Sequence, residues 1–112
     1  MNKFIYKLQK KLFRSYESEI DYETMKRMLK KNNKILVIDV RTRDEFKHKH
    51  LEGAINIPMQ YINERIELVT RNRQDVIVVY CEYGGRSQKA LAKLKKMGYV
   101  NVYNLRGGIE AI

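Results

Sequence analysis

Two short segments, KILVID at residues 34–39 and DVIVVY at 75–80, are almost wholly apolar and rich in β-branched side chains. Such a run has no polar side to give to water, so as a strand it must be covered on both faces. Strands of that kind belong to mainly parallel sheets, whose crossover helices lie above and below. The segments between them fit this demand. In DYETMKRMLKK, Asp21 is an N-cap and Met25, Met28 and Leu29 form the buried stripe. RTRDEFKHKH reads as a short polar helix, and GAINIP as a short strand ended by the single proline, Pro58. YINERIELV spaces Ile62, Ile66 and Val69 along a helix, and SQKALAKLKKMG puts Ala90, Leu91, Leu94 and Met97 on one face with Gly98 as the C-cap. NVYNL is a last strand before RGGIEAI. The expectation is an α/β domain with a mainly parallel central sheet and helices on both faces.

A chain of 112 residues, 44% of them apolar, fits one such domain over residues 18–112. The first 17 residues stand apart. In MNKFIYKLQKKLFRSY, Phe4, Ile5, Leu8, Leu12 and Phe13 recur at helical spacing with five bases and no acid among them, a basic amphipathic helical extension. Docking on its own domain, weak contact of residues 1–16 with an anionic membrane surface, and binding of a partner all remain open for it. The net charge of +10 belongs mostly to this N-terminal third, so no nucleic-acid partner is expected. One cysteine allows no internal disulfide, and one cysteine with two histidines cannot build a four-ligand structural zinc site, so no metal or other cofactor is expected. The sequence contains neither an apolar run of spanning length nor a signal-peptide core, and the reading is cytoplasmic.

The single cysteine, Cys81, ends the second apolar strand and precedes a glycine pair in CEYGGRS. In open parallel sheets ligands sit beyond the carboxyl ends of strands. Gly84 and Gly85 let the backbone turn sharply and aim N–H groups inward. Those amides, the N-terminus of the helix that follows and the Arg86 guanidinium all favour an anion at the sulfur, so Cys81 is expected to react as a thiolate with a lowered pKa.

CEYGGRS resembles the active-site loop of rhodanese-like sulfurtransferases. IDVRTRDEFKHKHLEGAINIP and NVYNLRGGIEA resemble two further hallmarks of that family. The matches run in order from about residue 18 to residue 112. The resemblance implies a rhodanese-like three-layer fold and an enzyme of the thiosulfate:cyanide sulfurtransferase type. Cys81 would take a sulfane sulfur from thiosulfate or a persulfide donor and pass it to cyanide, a small thiol, or an acceptor protein such as one of thioredoxin type. Cys81 and Arg86 would be catalytic, with Glu82, Tyr83, Gly84, Gly85 and Ser87 forming the loop that binds the sulfur. Ser87 would cap the helix and donate its hydroxyl toward the sulfur, or serve as a plain N-cap. Asp39 and Arg41 would support the loop, Asp39 accepting hydrogen bonds from neighbouring loops or from Arg86. His50 would organise the turn before Gly53, and Glu82, at the mouth, would repel a dianionic donor. Two other classes remain. A cysteine-dependent phosphatase or arsenate reductase commonly has five residues between Cys and Arg, where this chain has the four from Glu82 to Gly85. A non-catalytic regulatory module of the same family usually lacks the cysteine.

Overall fold

KILVID and DVIVVY supply neighbouring strands of a five-stranded sheet in the computed structural model, which describes residues 18–112. The amphipathic helix expected over residues 1–17 lies outside the described residues. The strands are β1 (Glu19–Ile20), β2 (Leu36–Asp39), β3 (Ile55–Asn56), β4 (Val76–Tyr80) and β5 (Asn101–Leu105), and their order is β1-β5-β4-β2-β3. Every pairing is parallel. The helices are α1 (Tyr22–Lys31), α2 (Arg43–His48), α3 (Ile62–Val69) and α4 (Gly85–Lys96). The two-residue strand β1, which carries no apolar run to announce it, exists by pairing with β5 through Glu19 and Ile20.

Each central strand feeds both faces, as its composition requires. Ile38, Ile77, Val79 and Val102 pack with Ile62, Ile66, Ala90, Leu91 and Leu94 from α3 and α4. The alternate residues Val37, Val78, Tyr80 and Leu105 pack with Met25 of α1 and with Ile109. Ile38, Ile77, Val78 and Val79 are fully buried, and burying a side chain of this size contributes roughly 1.5–3 kcal/mol. This is the three-layer arrangement expected from the sequence.

The helix ends follow local chemistry. Asp21 caps α1 by accepting from the Thr24 amide at 2.7 Å. Thr42 and Glu45 form a capping box at the start of α2. In α4 the structure corrects the sequence reading. The helix begins at Gly85, with Gly84 as its N-cap residue, so Ser87 lies in the first turn and is not the cap. Gly84 takes φ +109°, which L side chains rarely adopt, and this starts the helix three residues earlier than a cap at Ser87 would. Gly85, by contrast, has ordinary backbone and open space around it, so only the first of the two glycines is needed for the turn.

Candidate active site

Because Asp39 and Tyr80 are register partners on β2 and β4, the residues just beyond them, Val40 to Arg41 and Cys81 to Glu82, leave the sheet side by side. Cys81 is 1% exposed and belongs to the core on the α3–α4 side. Its Sγ accepts from the Gly84 amide at 3.1 Å and from the Ser87 amide at 3.4 Å, and the Ser87 Oγ lies 3.3 Å away. The loop therefore closes its donors on the sulfur atom itself. Burial pushes the Cys81 thiol up. Hydrogen bonds from the Ser87 hydroxyl and from the amides of Ser87, Gly84 and Tyr83 outweigh burial, and the net shift is below the ordinary thiol value. Alkylation by iodoacetamide followed against pH should accordingly show a midpoint below the ~8.5 of a free cysteine. A midpoint at or above that value would mean that the converging amides do not stabilise the thiolate.

The charged side chains around the loop are paired. Asp39, fully buried, accepts from the Arg41 backbone amide at 2.9 Å and from its guanidinium at 2.8 Å, and Arg41 also donates to the Lys49 carbonyl. Burial alone would lower the Arg41 pKa, but the bonds to Asp39 and Glu82 reverse the direction and hold the guanidinium firmly charged. Arg41 reaches across to Glu82 at 3.2 Å. Arg41 therefore faces two carboxylates, Asp39 and Glu82, and offsets the repulsion of an anionic donor expected from the sequence only in part. Arg86 does not bond Asp39, as one sequence alternative had it. It forks onto Glu45 of α2 at 2.6 and 2.9 Å. The pairing with Glu45 raises the Arg86 pKa against the opposing effect of burial, and the charge of Cys81 adds to the rise. Tyr83 projects outward, 73% exposed. His50 has Nδ1 2.8 Å from the Phe46 carbonyl and its ring stacked on Phe46 at 3.8 Å, contacts that tie it to α2.

Three residues that shape the site were absent from the sequence reading. Glu45 had a visible signal, the Thr42–Glu45 capping-box spacing, but that spacing says nothing of Arg86, 41 residues away. The bond to Arg86 holds the Glu45 carboxyl down at about 2, against an ordinary 4.5. Its folded-state pKa lies below the unfolded one, so the pair stabilises the fold above about pH 4.5 and that contribution fades as pH falls toward 2. Glu45→Gln should lower the urea midpoint at pH 7, and the difference from wild type should vanish near pH 2. Persistence of the gap at that pH would assign it to something other than the ion pair. Asn104, buried on β5, donates from Nδ2 to the Gly84 carbonyl at 3.4 Å. Gly108 carries the C-terminal segment against the loop. There the Ile109 amide donates to the Cys81 carbonyl at 2.9 Å and the Glu110 amide to the Glu82 carbonyl at 3.0 Å. Among the described residues no group of three or more His, Cys, Asp or Glu could hold a metal ion, and no helix is long and apolar enough to cross a membrane.

The family model described as a rhodanese-like domain matches residues 21–112. The chain belongs to the rhodanese-like domain family. Similar members include a sulfurtransferase of Allochromatium vinosum, 37% identical over 94 residues that cover 84% of this chain and 86% of that one. Another is the thiosulfate sulfurtransferase PspE of Escherichia coli, 40% identical over 75 residues, 67% of this chain and 71% of that one. Among solved structures, a rhodanese with anions from E. coli superposes with a TM-score of 0.65 at 37% identity, covering 70% of this chain and 91% of that one. The five-stranded parallel sheet with helices on both faces is the rhodanese fold.

Proposed function

We propose that this rhodanese-like protein is a sulfurtransferase that carries sulfur as a persulfide on Cys81. The observation that supports it best is the convergence of the Gly84 and Ser87 amides and the Ser87 hydroxyl on one buried sulfur. Donors fixed in a dry site stabilise an anion without reorganising, and they do so for a thiolate and for the persulfide anion that follows. With thiosulfate as donor, the Cys81 thiolate attacks the outer sulfur, the donor S–S bond breaks, sulfite leaves with the bonding pair, and Cys81 becomes a persulfide. A cyanide ion or a thiolate then attacks the terminal sulfur, leaves as thiocyanate or a new persulfide, and restores the Cys81 thiolate. The loop amides and Ser87 hold the charge throughout, Arg86 adds positive potential, and the paired Asp39, Arg41 and Glu82 keep the loop in place. The relatives named as sulfurtransferases support the same reading. A loop of four residues closed directly on the sulfur favours a sulfur cargo over a phosphate, and the intact Cys81 favours catalysis over a purely regulatory module.

Intact-protein mass spectrometry after incubation with thiosulfate should show one added sulfur, removed by cyanide with release of thiocyanate. A protein that gains no sulfur from thiosulfate, from mercaptopyruvate or from glutathione persulfide would overturn the transfer reading. Of the three, the one that loads fastest identifies the donor class. The acceptor comes from outside, because the chain has no second cysteine to resolve the persulfide.

A further inference from the structure

Gly84 presents a carbonyl approached by three donors. The Gln88 amide lies at 3.2 Å in the usual helical bond, the Ser87 hydroxyl at 3.0 Å, and the Asn104 Nδ2 at 3.4 Å. A carbonyl has two lone pairs. Once Gln88 has taken one, Ser87 and Asn104 compete for the other. Ser87 is also within reach of the Cys81 sulfur, and a hydroxyl has one proton to give. While Cys81 is a thiol, its S–H can point at Oγ and the hydroxyl can point at Gly84. When the thiol proton leaves to water, the sulfur no longer donates to Oγ, and by turning toward it the hydroxyl adds a third donor to the two amides already there. That turn would leave the Gly84 carbonyl without the serine donor at a place where Gly84, Ser87 and Asn104 are all buried.

We propose that Asn104 is a positioning residue for the reaction, whose side-chain amide takes over the Gly84 carbonyl and thereby frees the Ser87 hydroxyl to donate to the ionised sulfur. The amide has one orientation open to it. Turned over, its oxygen would face the Gly84 oxygen, acceptor against acceptor. In the orientation found, Nδ2 serves Gly84 and Oδ1 is left buried with no donor. An unpaired buried acceptor costs stability. The fold bears it on a strand where Leu or Val would pack, as they do at Val102 and Leu105 beside it. Loss of this side chain therefore has opposite effects on stability and on the thiol, which separates a role in ionisation from a role in packing.

The inference rests on Cys81 being the ionised nucleophile proposed above. Its test reads ionisation, not sulfur transfer, so its failure is distinct from a failure of the sulfurtransferase reading. The measurement is the rate of iodoacetamide alkylation against pH for wild type, Asn104→Leu, Ser87→Ala and the double variant, each with its thermal midpoint. Asn104→Leu should keep or raise the thermal midpoint, shift the alkylation midpoint upward, and leave about threefold to tenfold less thiolate at pH 7, the range that one neutral hydrogen bond supplies. Ser87→Ala should shift it by at least as much. The double variant should match Ser87→Ala alone, because Asn104 acts only through the serine proton. An unshifted alkylation midpoint in Asn104→Leu, or shifts that add in the double variant, would overturn the proposal. If Asn104→Leu does not fold, Asn104→Ala with the same four-way comparison decides the question, since it too removes the donor.

Discussion

Cys81→Ser should reduce sulfur transfer to the uncatalysed background, a loss of at least about 10³-fold, while the protein remains folded. The serine oxygen can accept the same Gly84 and Ser87 amides, so the loop keeps its internal bonds, and the cost to stability should stay under ~2 kcal/mol. What disappears is the atom that forms the persulfide, because a hydroxyl at neutral pH neither ionises nor holds a sulfane sulfur. Parallel assays of thiocyanate formation and of thermal unfolding give both halves of the result. Transfer retained at more than a few percent by a folded variant would remove Cys81 from the mechanism.

Gly108→Ala should damage both stability and activity. The backbone there has φ +66°, and a Cβ would lie 2.4 Å from the carbonyl oxygens of Cys81 and Glu82. No rotamer relieves that contact, because the clashing atoms are backbone. Either the C-terminal segment or the sulfur-binding loop must move, and with it go the bonds from Ile109 to Cys81 and from Glu110 to Glu82. The strained conformation and the overlap together should cost ~2–4 kcal/mol, which for a domain of this size lowers the thermal midpoint by roughly 10–20 °C. Residual activity at a temperature where the variant is folded should fall by on the order of 10²-fold, since a displacement near 1 Å misaims the amides. Gly85→Ala, placed in open space on ordinary backbone, is the control and should change the thermal midpoint by no more than about 1–2 °C. Equal damage from both substitutions would show that the close approach at Gly108 is not what matters.

The two glycines of the CEYGGRS loop show how much was legible before the structure. Both looked like turn residues, and one is. A glycine's identity advertises that a left-handed or crowded position is allowed, and only the path of the chain decides whether it is used. At Gly108 the requirement comes from segments more than twenty residues away, which no local pattern contains. The same division holds for charge. Asp39, Arg41, Glu45, Glu82 and Arg86 are plain in the sequence as charged residues near motifs. That Arg41 reaches Glu82, and that Glu45 takes Arg86, follows from β2 and β4 standing side by side with their ends aligned.

By itself the sequence determined the class of fold and marked Cys81 as the proposed nucleophile. Two apolar strands that tolerate water on neither face demand a covered parallel sheet, and helical periodicity between them supplies the cover. The only cysteine, placed after one of those strands and before a glycine, lands where such sheets hold ligands. These are local properties, readable because strand composition, helix period and turn chemistry act over a few residues. The tertiary structure decided the pairing of Arg41 with Glu82 and of Arg86 with Glu45, the seal of Gly108 on the loop, and the placing of Asn104 beneath Gly84. Each of these depends on distance between residues far apart in the chain. Sheet order and register fix such distances, and spacing along the sequence does not.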